Sequence, residues 1–311
     1  MSAKRKQSTK AIAKATNGAP AGGRVRIQKT YKMYVGGQFV RSESGRYFQV
    51  TDVAGDDKGQ IENIARASRK DGRDAVKIAH GAASGWSGKT AYNRGQILYR
   101  LAEVMEGRAG ELTTELHRAT GASREAAREE VLQAIDRVIA FAGWADKYQS
   151  LLASSNPVAG PHFNFSVPEP MGVVAVVAPR RPSLLGLVTS VLPVIVSGNT
   201  CVVLASEDDP RTAITFSECL ATSDLPGGVV NVLTGQVSEV APHLAKHYEI
   251  AAIDLWHEDA KLCAELEEQA VGTVKRVRRH EPQALDDARF EGLRAIERFL
   301  ETKTVWHPVG V

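Results

Sequence analysis

The sequence predicts an α/β protein, a parallel sheet flanked by helices, and three features of it carry that prediction. After Gly172, valine-rich runs alternate with helical patterns at short spacing: VVAVVA, TCVVLAS, VVNVLTG, IAAIDLW and VKRVRR. Strands covered on both faces read as continuous apolar runs, and parallel strands require crossovers of this length. Upstream, from Asp71 to about Gln149, apolar residues recur three and four apart, the spacing of packed helices. The composition agrees, with 43% hydrophobic and 24% charged residues among 311, ordinary for a globular chain large enough to bury a sizeable core.

Taken in order, residues 1–29 form a basic tail. They hold Lys4, Arg5, Lys6, Lys10, Lys14, Arg24, Arg26 and Lys29 and no acidic residue, so the chain's +3 less the tail's +8 leaves −5 for the remainder. Ala, Ser, Thr, Gly and Pro fill the gaps, which predicts disorder. With no folded reader or interleaved aromatic residues, no specific nucleic-acid function is expected. Residues 30–149 begin with KMYVGGQFV, whose Gly36-Gly37 pair marks a hairpin, and continue as helices. Asn156-Pro157 and Gly160-Pro161 interrupt the helical pattern. HFNFSVPEP then alternates like a strand, which sets off a small β element at 150–168. Residues 169–283 make the Rossmann-like α/β part, although no GxGxxG follows its first strand. In 284–311, ARFEGLRAIERFLE reads as one amphipathic helix and KTVWHPVGV as a terminal strand.

Several function classes are disfavoured at this level. No apolar run reaches bilayer-spanning length and no signal-peptide core follows the basic start. Cys201, Cys219 and Cys263 are odd in number and widely spaced, which argues against a disulfide framework and for a cytoplasmic location. No CxxC pair suggests a metal. The informative stretch is VVAVVAPRRPSLLG, because ligands of open α/β sheets bind where strands end and helices begin. Arg180 and Arg181 occupy that turn. The plainer expectation for them is a solvated charge pair, and the sharper one is an anion or a partner carboxylate.

The chain resembles the aldehyde dehydrogenase superfamily, through YVGGQFVRSESGRYFQV, FAGWADKY, VPEPMGVVAVVAP, SGNTCVVLASE, LPGGVVNVLTG and the closing ETKTVWHPVGV. The resemblance implies that family's NAD-binding domain and an oligomerisation element near 150–168 joined by the C-terminal strand. The departures concern chemistry. Where the family places a Pro-Trp-Asn turn whose amide helps form an oxyanion hole, this chain has Pro179-Arg180-Arg181. The Lys-Pro-Ser/Ala-Glu turn becomes Ala205-Ser206-Glu207, without the lysine. The Gly-Ser-Thr phosphate turn becomes the run Asp254 to Asp259, where Asp254, Glu258 and Asp259 should repel a pyrophosphate. His280-Glu281-Pro282 stands where the family's Glu-Leu-Gly-Gly general-base motif is expected. No cysteine has the family's Gly-Gln-x-Cys context, and most of the catalytic domain is not represented.

The resemblance therefore implies no catalytic residue and no tightly bound cofactor, with NAD(P) weak at most. The surviving positions that could touch a nucleotide are Pro179, Gly198, Glu207 and Gly235, each with an ordinary alternative as a turn or cap residue. The expected interface is Phe163, Phe165, Lys303, Val305 and Trp306. The expected partner is a full-length aldehyde dehydrogenase or a second copy of the chain. One alternative is an aldehyde oxidoreductase that works only in a complex or with unusual residues. Another is a nucleotide-sensing binding protein.

Overall fold

This computed structural model describes residues 29–280, 285 and 290–310. The expected disordered tail lies outside these residues apart from Lys29, as does Glu281-Pro282.

The chain opens with strands β1 (Met33–Val35) and β2 (Gln38–Val40), β3 (Tyr47–Thr51) and β4 (Ile61–Ala65). Gly36 and Gly37 join β1 to β2 with φ of 63° and 81°, the left-handed pair that a two-residue hairpin needs. Helices α1 (Arg69–Ser87), α2 (Ala91–Gly107), α3 (Ala109–Thr120), α4 (Arg124–Trp144) and α5 (Tyr148–Leu152) follow. Ser68, Thr90 and Ser123 cap α1, α2 and α4 through their side chains, and Ser68 with Asp71 completes a capping box. Next come β5 (Ser154–Asn156) and β6 (His162–Pro170).

The α/β part runs β7 (Val173–Val177), α6 (Ser183–Val196), β8 (Thr200–Leu204), α7 (Pro210–Ala221), β9 (Val230–Leu233), α8 (Val237–Ala245), β10 (Ile250–Leu255), α9 (Ala260–Ala270) and β11 (Arg276–Arg279). Its sheet has the order β11-β10-β7-β8-β9-β1-β2, parallel from β11 to β9, with β1 and β2 added antiparallel. The chain order reverses at β7, so the topological switch point lies between β7 and β10.

Alternation along the strands divides the core. Val174, Val176, Cys201, Val203, Val230 and Val232 pack with α2, α4, α6 and α7, while Val173, Ala175, Val177, Val202 and Leu204 pack with α1, α8 and α9. Every residue of α6 is buried, which explains its apolar character all round.

The C-terminal region differs from the helix expected over ARFEGLRAIERFLE. The α-helix described there, α10 (Leu293–Glu297), is shorter than expected, and β12 (Leu300–Pro308) starts three residues later. Nine consecutive pairings with β6, from Leu300↔Pro170 to Pro308↔His162, take Leu300 and Glu301, the last two residues of the expected helix, into a sheet. The resulting small sheet has the order β12-β6-β5. Its β6 continues to Pro170, two residues past the expected boundary.

Candidate functional site

The carboxyl ends of β7, β8, β9 and β10 converge on one edge of the large sheet, where this fold class binds ligands. The structure brings Pro179, Glu207 and Gly235 there, since they follow β7, β8 and β9. Gly198 is elsewhere. It precedes β8 and so lies at the opposite, amino-terminal edge, with φ of 92° in the turn that leaves α6. Pro179 packs on Gly186, where any Cβ would approach the proline ring to 3.0 Å. Gly235, at φ 146°, lies where a Cβ would come within 3.1 Å of Ala67 N.

The polar groups of this edge are engaged with one another. Glu207 Oε1 accepts the Val237 N–H at 2.6 Å, at the first residue of α8. Asp259 Oδ1 accepts the N–H groups of Lys261 and Leu262 at 2.9 and 3.1 Å, in the first turn of α9. These donors lower the Asp259 pKa and keep an anion at the helix start, the position that suits a phosphate. Arg180 pairs with Asp208 through both Nε and Nη2, tying the turn after β7 to the turn after β8. Arg181 is the solvated member of the pair, 63% exposed and 3.9 Å from Asp208.

At the carboxyl ends of β10 and β11 the chain has built a ring stack. The Trp256 indole lies 3.5 Å from the His280 imidazole with planes 7° apart, and Phe290 packs 6.0 Å from Trp256. Asp254 serves both rings: His280 Nε2 is 2.7 Å from Oδ1, and Trp256 Nε1 donates to Oδ2 at 2.5 Å. Trp256 N–H also donates to Val177 O, and His280 N–H to Leu255 O. Asp254 is 2% exposed, so it does not present charge to the edge as the sequence suggested. Asp259 is spent on capping, and of the three acidic residues only Glu258 remains on the exposed surface without such a role. Carboxylates of the chain thus already hold both helix starts, where a dinucleotide at a Gly-Ser-Thr turn would meet open N–H groups.

The thiols are remote from solvent. Cys201, Cys219 and Cys263 are all 0% exposed. Burial pushes the Cys201 thiol well above its ordinary range and the Cys219 thiol up to about 11. A nucleophilic cysteine needs the opposite shift and access.

Sequence reasoning missed a second polar centre. Arg211 on α7 and Arg118 on α3 share Asp52 and Glu62, and Arg211 Nε is 3.5 Å from Glu115 Oε1. Tyr31 donates to Glu115 Oε2 at 2.7 Å. Burial and the adjacent Glu115 push the Tyr31 phenol far up, and burial raises Glu115 as well. The cluster staples the β3–β4 ribbon to α3 and α7.

The expected interface residues lie on the small sheet but not on one patch. Register pairs Val305 with Phe165, Lys303 with Val167 and His307 with Phe163. These residues therefore share one face, where the Phe163 and Phe165 rings are 5.4 Å apart. Trp306 pairs with Asn164 and so lies on the other face, against His162 at 5.8 Å. Lys303 Nζ is held by Glu169 at 2.9 Å.

Residues 39–277 match the profile described as the aldehyde dehydrogenase family. The chain is 35% identical over 222 residues to hydroxyisobutyraldehyde dehydrogenase of Mycolicibacterium austroafricanum, covering 71% of this chain and 43% of that protein. It is 32% identical over 232 residues to cytosolic 10-formyltetrahydrofolate dehydrogenase of Mus musculus, covering 73% of this chain and 25% of the relative. Among solved structures, PnpE from Pseudomonas sp. WBC-3, also solved in complex with nicotinamide adenine dinucleotide, superposes with a TM-score of 0.75 at 27% identity. That match covers 80% of this chain and 50% of PnpE. The chain thus spans half or less of the length of these proteins.

Proposed function

The chain belongs to the aldehyde dehydrogenase family, and on that premise we propose that it serves as a non-catalytic member of an aldehyde dehydrogenase assembly. It would pair with a complete NAD(P)-dependent subunit, or with itself, through the β12-β6-β5 sheet. One observation carries this reading: the edge that would receive cofactor and substrate is committed to internal contacts. Asp254, Glu207, Asp259 and Asp208 each accept from the chain's own donors, and each cysteine is fully buried. Fold alone does not confer chemistry. The small sheet supports the assembly half, because Phe163 is 51% exposed on one face and Trp306 60% exposed on the other.

A second reading keeps oxidoreductase chemistry in the chain itself, with the site completed in a complex. Its support is that relatives such as hydroxyisobutyraldehyde dehydrogenase bear dehydrogenase names. Native purification without crosslinking, followed by aldehyde oxidation assays with NAD and NADP, separates the two. The proposal expects background turnover from the isolated chain, since loss of a whole catalytic unit removes nearly all rate enhancement. It also expects a co-eluting full-length dehydrogenase, or a homo-oligomer. Turnover, by the isolated chain or by its native complex, that disappears in Cys219→Ala or Cys263→Ala of this chain would establish the second reading instead.

A further inference from the structure

A groove of about 380 Å³ lies between α1 and α8, lined by Arg69, Arg73, His243, Leu244, Lys246, His247 and Tyr248. It runs along the outer side of the two helices, from Arg69 at the start of α1 to Tyr248 in the α8–β10 connection. Gly72 lets the two helices approach closely, since a Cβ there would meet Val240 at 3.3 Å and Leu244 at 3.6 Å. The approach brings the arginines of α1 alongside the histidines of α8.

Helix electrostatics explains only part of this basic collection. Lys246 and His243 sit at the end of α8, where the helix dipole favours cations. Arg69 and Arg73 sit in the opening turns of α1, where the dipole disfavours them. The charge is also weakly neutralised. Arg73 pairs with exposed Asp74 at 3.0 Å, whereas among the described residues no carboxylate lies within ion-pair distance of Arg69 or Lys246. The nearby Arg46 and Arg66 share Glu239 at 2.6 and 2.9 Å. An aromatic face stands at the rim, as Tyr248 is 80% exposed.

We propose that this groove binds a small phosphate-bearing anion, of the size of a pyrophosphate or a nucleoside diphosphate. Arg69 and Lys246 would supply the primary charge, with His243 and His247 as titratable donors. Guanidinium and ammonium groups converging on a concave surface suit phosphate oxygens, and Tyr248 offers a stacking surface to a base. Protonation strengthens the site. Desolvation, then Arg69 and Lys246, lower the His243 pKa. Desolvation also lowers that of His247, with Lys275 and Arg73 acting in the same sense and Glu249 opposing them. A bound anion reverses the cation crowding, so binding takes up protons and tightens as pH falls. The charged groups acting on the histidines are Arg69 and Arg73 from α1, Lys246 and Glu249 around the end of α8, and Lys275 before β11.

Calorimetry on the full chain at low salt, with pyrophosphate and separately with ADP, tests the proposal. Binding should be clearly tighter near pH 6 than near pH 8, across the range in which histidine titrates. Arg69→Ala with Lys246→Ala should weaken it by about a hundredfold, at roughly tenfold for each charge-assisted contact removed. Both residues are exposed, so an unchanged circular dichroism spectrum should accompany the loss. ADP binding more tightly than pyrophosphate, with the difference removed by Tyr248→Ala, identifies a nucleotide as the ligand. Equal affinities untouched by Tyr248→Ala identify an inorganic phosphate. The proposal is overturned if neither anion binds at millimolar concentration, if the double variant binds as well as the parent, or if only long polyanions such as heparin bind.

Discussion

At the carboxyl edge of the large sheet, Asp254, Glu207, Asp259 and Asp208 each hold a hydrogen-bond donor of the same chain. On the small sheet, the tilted rings of Phe163 and Phe165 pack on one face while half of Phe163 stays exposed, and Trp306 stays 60% exposed on the other. A polar cleft can satisfy itself, because each carboxylate that caps a helix or binds a ring nitrogen replaces what a ligand would have given. An apolar face cannot do so, since its surface leaves water only when something else covers it. The first region is therefore closed upon itself and the second left open to another surface. On the proposed reading, this difference is the one between a role in chemistry and a role in assembly.

The largest expected effect comes from removing residues 302–311. That deletion takes most of β12 from β6 and leaves β5 and β6 as a two-stranded unit, marginal by itself, with a long unpaired edge. Any native complex should be lost on size-exclusion chromatography, with aggregation of the freed chain, while removal of 1–29 should leave the complex intact. Trp306→Ala should weaken it less, because the structure puts Trp306 on the face opposite Phe163 and Phe165. A deletion mutant that keeps its native partners would remove the small sheet from the comparison.

Asp254→Ala tests the other region. The substitution leaves the Trp256 N–H and a His280 ring nitrogen without their carboxylate in a site where Asp254 is 2% exposed. Breaking a buried charged hydrogen-bond pair of this kind costs about 2–4 kcal/mol, readable as a lower urea midpoint at unchanged slope. A loss under about 1 kcal/mol would mean that the ring stack does not depend on its carboxylate and that the edge is less committed than its geometry implies.

The sequence shows which parts of this comparison are local. β7 and β8 were legible because strands buried on both faces need continuous valine-rich runs, and β1–β2 because Gly36-Gly37 permits few other turns. The Asp254–Trp256–His280 group was not. Asp254 stands inside IAAIDLW, an apolar strand, and a carboxylate there is a buried-polar signal. The resemblance drew attention instead to the charge it would show a phosphate. The pairing of Arg211 with Asp52 spans 159 residues, and no spacing rule reaches so far. The helical periodicity of ARFEGLRAIERFLE runs on through Leu300 and Glu301, but those two residues pair with β6, which lies more than a hundred residues upstream.

The smallest expected effect concerns the start of α6, beside the turn that carries Arg180 and Arg181. Pro182 occupies the N-cap position and has no side-chain acceptor, so the first N–H groups need one from elsewhere. Glu130 of α4 provides it, with Oε1 accepting from Leu184 N at 2.8 Å and Leu185 N at 3.2 Å. Burial raises the Glu130 pKa. The two N–H bonds and Arg181 pull the other way, and Asp209 adds to the rise. A carboxyl whose folded pKa lies above its unfolded value contributes most below the unfolded value, near 4.3, and loses that contribution as pH rises through the folded pKa. Glu130→Gln keeps an acceptor oxygen for both N–H groups but removes the titration. At neutral pH its stability should therefore stay within about 1 kcal/mol of the parent. On acidification from about pH 7 to about pH 4.5, the parent should gain relative to the variant. Urea midpoints for the two proteins across that range measure the difference directly. A parent that gains on the variant as pH rises would mean that the ionised carboxylate is the stabilising form, and that this end of the edge still favours a charge.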